Sequence, residues 1–134
     1  MFAIGDIVEI FAPQAGHKKY HLCIVVGNDQ TTSQFLYLNS DPTFAQTYVV
    51  DCKRVPCLPR SRTGKTAFTF AILPRYNIRQ LALYGAKKLG ELDPILAAEL
   101  HGFAKSVTTL NSSDRSVVLA ALAQIKTKKT KKAP

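Results

Sequence analysis

Hydrophobic periodicity changes once along this chain, and that change constrains the fold more than any other feature. Up to Pro74 the apolar residues come in short runs of β-branched and aromatic side chains, separated by Pro, Gly, Asn and Asp. After Asp93 they recur at spacings of three and four. The runs predict strands over residues 4–11, 20–27, 35–38, 48–50 and 67–73. Between the first two, Pro13, Gly16, His17, Lys18 and Lys19 read as a polar, basic loop over 12–19. Residues 51–66 read as a long basic loop, or as two short edges joined by one. Asp93 and Pro94 suit the cap and first position of a helix over about 94–109, with Ile95, Leu96, Ala98, Leu100, Phe103, Ala104 and Val107 on its apolar stripe. Asn111-Ser112-Ser113 caps a second helix carrying Val117, Val118, Ala121, Leu122 and Ile125. Strands first and helices after predict an α+β fold. Short strands joined by long polar loops favour a small twisted barrel of about five strands, followed by two C-terminal helices.

At 134 residues and 46% hydrophobic, the chain can bury one core without a disulfide or metal staple. Residues 1–125 read as one domain. The tail 126–134 holds only Lys, Thr, Ala and Pro and is expected to be disordered. No apolar run approaches the length of a membrane span. Met1 to Asp6 lacks a basic region followed by an apolar run, so no secretory leader is expected. Three cysteines cannot all pair with one another. Cys23 lies in an apolar run, and Cys52 and Cys57 lack the close spacing of a zinc or redox site. Reduced thiols, a cytoplasmic location and no metal or cofactor are the expectation.

The net charge is +9, and five of the lysines (Lys126, Lys128, Lys129, Lys131 and Lys132) lie in the tail, which leaves the body at +4. A basic excess favours polyanions such as RNA, DNA or an acidic protein. Lys53, Arg54, Arg60, Arg62 and Lys65 crowd the loop 51–66, where they can meet several phosphates. Tyr20, Tyr37, Tyr48 and Tyr76 are available for base stacking, or else for core and rim packing. His17, Lys18, Lys19 and His21 form a second dense group. Imidazole moves protons near neutral pH, and lysine stabilises charge on phosphorus. Attack by an RNA 2′-hydroxyl needs only those services. Gly64-Lys65-Thr66 invites a phosphate-loop reading, but that motif requires a glycine where this chain has Pro59. A basic turn between strands is the better reading.

The order of these motifs resembles the PemK/MazF family of plasmid-maintenance and growth-inhibitor toxins. Gly5-Asp6-Ile7-Val8-Glu9-Ile10 is similar to that family's opening strand. The basic loop feeding Ile24-Val25-Val26-Gly27 looks like its second strand, and Leu36-Tyr37-Leu38-Asn39-Ser40 like its third. Leu89-Gly90-Glu91-Leu92-Asp93 before a helix resembles its closing segment. The likeness spans roughly residues 3–107. It implies an SH3-like barrel, a homodimer, and metal-independent cleavage of single-stranded RNA. It also implies a co-expressed antitoxin whose acidic segment fills the RNA groove. Where the family carries Arg-Pro, this chain has His21-Leu22, with Lys19 as a displaced cation. Asn39 or Ser40 stands where threonine is typical. Mapped onto these positions, His21 would act as acid or base and Lys19 as phosphate stabiliser. Ser40 would position the substrate, His17 would be the alternate proton carrier, and Lys18, Asn39 and Arg75 would be further RNA contacts. The missing arginine favours a rival, the same barrel binding RNA or DNA without cutting it. A protein-directed toxin, such as a gyrase poison, is a third reading.

Overall fold

The computed structural model describes residues 2–13, 15–27, 31–39 and 47–125. Its frame starts with an antiparallel hairpin of β1 (Asp6–Ala12) and β2 (His17–Val26). Ala12 faces His17 across the ladder, so the connection between them is short. Gly16 closes it with a φ of 73° and donates its N–H to the Ala12 carbonyl at 2.9 Å. Left-handed backbone of this kind favours glycine. Residues 17–19, expected as loop, are therefore strand, because the ladder runs unbroken to the turn.

Five further strands follow: β3 (Thr32–Asn39), β4 (Thr47–Asp51), β5 (Lys65–Thr69), β6 (Arg75–Asn77) and β7 (Lys87–Glu91). The hydrogen-bonded order is β4-β5-β3-β2-β1-β7, and every pairing is antiparallel. β3 has β2 on one side. On its other side β6 pairs with its first half and β5 with its last residues. Three helices complete the fold among the described residues: α1 (Ile78–Leu83), α2 (Pro94–Ala104) and α3 (Ser112–Gln124).

Both faces of the sheet are covered. Ile7, Leu22, Ile24, Leu36, Leu38, Phe68 and Phe70 point to one side, where they meet Leu96, Leu100, Val118 and Leu122 of α2 and α3. Val8, Ile10, Cys23 and Phe35 point to the other side and meet Tyr76 and Leu81 from the β6–α1 segment. Two-sided burial explains why Leu22-Cys23-Ile24 is apolar without alternation. Each such side chain adds roughly 1.5–3 kcal/mol when fully buried. The helices start where the caps predict. Asp93 accepts from the Ile95 N–H, with Pro94 in the first turn, and Asn111 accepts from the Asp114 N–H at 2.7 Å. α2 ends at Ala104 rather than near residue 109. Beyond it Val107 and Leu110 are buried in an irregular link, which Arg115 holds by donating to the Val107 carbonyl at 2.8 Å.

The α+β class and the two C-terminal helices agree with the sequence reading, but the strand count and the closure do not. Among the described residues the sheet has seven strands, and β4 and β7 make no hydrogen bonds to each other, so it is not a closed barrel. What links the two edges is the segment after β4, a 3-10 turn over Cys52–Arg54 and the turn that follows it. This segment sets Cys57 against Gly90 of β7, so tightly that a Cβ on Gly90 would lie 2.6 Å from Cys57 Cβ. No helix among the described residues is long and apolar enough to cross a membrane.

Candidate functional site

At the β1–β2 turn end of the sheet, a cleft of about 350 Å³ opens between three segments. β2 contributes His17, Lys18 and Lys19, the end of β3 contributes Asn39, and the turn into β5 contributes Arg60 and Lys65. The β1–β2 hairpin sets the first three at the rim by starting β2 at His17. The β4–β5 hairpin sets the last two. Asp51 pairs with Lys65, Gly64 takes a φ of 75°, and Ser61 Oγ donates to the Lys65 carbonyl at 2.8 Å. Gly64-Lys65-Thr66 thus leads into a strand, whereas a phosphate loop leads into a helix.

Five basic side chains line this cleft, and no carboxylate does among the described residues. The nearest acids sit at its margins. Glu9 reaches Lys18 Nζ at 3.5 Å from β1. Asp51 has its carboxyl held below the usual range, first by the Lys53 N–H it accepts and then by the charges of Lys53, Lys65 and Arg60. Of these cations Lys65 and Arg60 face the cleft, so Asp51 sits in their field.

The other expected site residues divide sharply. His17 is exposed, with Nδ1 2.8 Å from the Lys18 carbonyl. Lys19 is half-buried, its ammonium 5.1 Å from the centre of the Tyr37 ring, a cation–π contact. Arg75 borders a second cavity on the far side of Lys19 and Asn39. Lys53 and Arg62 are exposed on neighbouring turns and do not line the cleft. Ser40 and the tail lysines lie outside the described residues.

Two expectations meet a different environment. Arg54, expected to face phosphate, donates to both oxygens of Glu99 at 3.2 and 2.7 Å, and Tyr48 donates to the same carboxylate at 2.8 Å. The trio binds β4 and the 3-10 turn to α2. This bidentate pair holds the Glu99 carboxyl below its ordinary range and leaves Arg54 and Tyr48 committed to structure. His21 was expected to move protons, but it is 0% exposed. Its ring sits among Tyr37, Phe35 and Tyr76, at centroid distances of 4.9, 5.6 and 5.8 Å. Nδ1 lies 3.1 Å from the Lys19 carbonyl and Nε2 3.5 Å from Tyr76 Oη. Burial lowers its pKa to about 4, against the opposing pull of the Lys19 carbonyl. At neutral pH the ring is an uncharged brace under Lys19, with no route to a ligand in the cleft.

Sequence reasoning did not pick out Ser61, and it met Thr66 only within the phosphate-loop reading; both line the cleft. The signal available was a run of hydroxyl residues, Ser61, Thr63 and Thr66, around Gly64 in a basic turn. No protein family, curated protein or solved structure matches this chain.

Proposed function

We propose that this protein binds single-stranded RNA through the phosphate backbone, in the cleft between β2, β3 and the start of β5. One observation carries the reading: the charged ends of Lys18, Lys19, Arg60 and Lys65, from separate segments, converge on a cleft that no carboxylate lines among the described residues. A charged groove beside aromatic rings is the usual design for single strands. Salt titration of RNA affinity tests it. Four phosphate contacts give a log–log slope of up to about −2.8, and the double change Arg60→Ala with Lys65→Ala removes about 1.4 of that slope. An unchanged slope overturns the assignment of the cleft.

Cleavage is the second reading, favoured by the exposed imidazole of His17 beside Lys18 and Lys19 in the same cleft. In that reaction a 2′-oxygen attacks the adjacent phosphorus while His17 takes its proton. The bond from phosphorus to the 5′-oxygen breaks, the leaving oxygen takes a proton from water, the hydroxide so formed takes up the proton held by His17, and a cyclic phosphate and a 5′-hydroxyl result. Lys19 stabilises the charge on phosphorus. RNA incubated in EDTA and mapped for new ends decides between the readings. Cyclic-phosphate ends that disappear with His17→Ala support the nuclease, and intact RNA that still shifts on a gel supports binding alone.

The PemK/MazF-like reading belongs to this proposal. It includes an SH3-like curl of the sheet, a homodimer, a cytoplasmic setting and an acidic antitoxin segment competing for the cleft. The bridge between sheet edges at Cys57 and Gly90 supports the curl. The free thiols of Cys23, Cys52 and Cys57 support a reducing compartment.

A further inference from the structure

Behind the cleft lies a second cavity of about 450 Å³, and Lys19 and Asn39 line both. The two spaces share those side chains as a common wall but differ in chemistry. The cleft is cationic. The cavity is walled by Tyr37, Tyr76, Ile72 and Pro74, with Arg75 beside them. Its volume falls within the range of roughly 300–1,000 Å³ typical of small-molecule sites.

The walls are held in place before any ligand arrives. Tyr76 is wedged against Phe35 at 5.8 Å and Tyr84 at 6.0 Å, and Tyr37 packs on the His21 ring at 4.9 Å. Burial pushes the Tyr76 phenol well above its ordinary pKa, so it stays a neutral aromatic surface. Asn39 is fixed by donating Nδ2 to Thr69 Oγ1 at 2.9 Å. Ile72 is an exposed large apolar side chain at 67%. Flat aromatic and aliphatic walls with a polar edge suit one planar, partly polar ring. Being one side chain away from the phosphate cleft, the ring would arrive attached to a sugar-phosphate chain.

We infer that this cavity receives a single unstacked nucleobase of the strand whose phosphates occupy the cleft, an inference that rests on the cleft being an RNA site. Recognition then has two separable parts: charge from Arg60, Lys65 and Lys18, and ring insertion against Tyr37 and Ile72. Stacking a base on an aromatic side chain is worth enough to change affinity by about tenfold.

The test compares an RNA octanucleotide with an abasic octamer carrying the same phosphates, by fluorescence anisotropy at fixed salt. The wild-type protein binds the RNA about tenfold more tightly. Tyr37→Leu shrinks that ratio toward one, and only the ratio is read in this variant because the Lys19 ammonium rests on the Tyr37 ring. Ile72→Ser, at an exposed position that tolerates a polar residue, does the same and guards against a folding defect in the first variant. Equal binding of the two octamers by the wild-type protein overturns the cavity assignment and leaves the cleft intact. So does a base advantage that both variants keep. Binding of neither octamer, or binding indifferent to Arg60→Ala with Lys65→Ala, overturns the cleft reading and the cavity with it.

Discussion

Lowering the pH acts on His21 in a way that can be worked out from its surroundings. The ring is buried among aromatic side chains, and its pKa in the folded protein is about 4 against 6.5 for the free side chain. Above pH 6.5 the imidazole is neutral in both folded and unfolded chains and costs nothing. Below it the unfolded chain takes up a proton that the folded chain refuses. Stability therefore falls as pH drops through 6.5, and the loss reaches its full size once pH passes below the folded value near 4. Between pH ~7 and pH ~5 the loss from this one group is about 2 kcal/mol. Urea unfolding at a series of pH values, followed by circular dichroism, measures it. His21→Phe keeps an aromatic ring among Tyr37, Phe35 and Tyr76 and removes the titrating group. The wild-type protein should lose stability across that interval and the variant should hold nearly constant, whatever its starting value. If both fall in parallel, the folded protein accepts the proton. The ring then reaches solvent, and the case against His21 as acid or base collapses.

Gly90 is the tightest contact between the sheet's edges. Gly90→Ala forces its Cβ about 1 Å closer to Cys57 than carbon atoms pack, and should cost ~1–3 kcal/mol in urea unfolding. Adding Cys57→Gly removes the clashing atom and should recover part of that loss, and no recovery would mean that the clash lies elsewhere. Arg54→Ala should lower the melting temperature, because it leaves Glu99 with Tyr48 alone, yet leave RNA affinity unchanged. A matching fall in affinity would return Arg54 to the binding surface. Deleting residues 126–134 should flatten the salt dependence of RNA binding by as much as ~0.7 for each tail lysine that pairs with a phosphate. An equal slope in the shortened protein would show that the tail meets no phosphate.

Much of the fold was legible because local signals agreed with it. Asp93-Pro94 and Asn111 mark the starts of α2 and α3, and the apolar runs around Ile7, Leu22, Phe35 and Phe68 lie in or at four of the strands. β6, α1 and β7 were not legible. Arg75-Tyr76-Asn77 is a strand only because β3 offers its first half, and Lys87–Glu91 only because β1 has an open side. Neither stretch carries the alternation that would announce it. The basic groups of the cleft were visible as composition. Their convergence was not, since it depends on two hairpin registers that place His17 and Lys65 at one end of the sheet. His21 shows the opposite failure. Next to Lys18 and Lys19 in sequence it reads as a surface proton carrier, while the strand's alternation and the rings of Phe35 and Tyr76 take it inside.

β3 is hydrogen-bonded to the strand just before it in the chain and to two strands that come long after it. A nascent chain that has emerged only as far as Thr63 can form the β1–β2–β3 meander, but the far side of β3 has no partner until Lys65–Thr69 and Arg75–Asn77 follow. During synthesis that side is an open row of amide and carbonyl groups of the kind that recruits other chains. The interval between translating Asn39 and translating Asn77 is thus the window in which this protein is most exposed to mispairing. Slowing the ribosome within it should raise aggregation more than slowing it anywhere in α2 or α3.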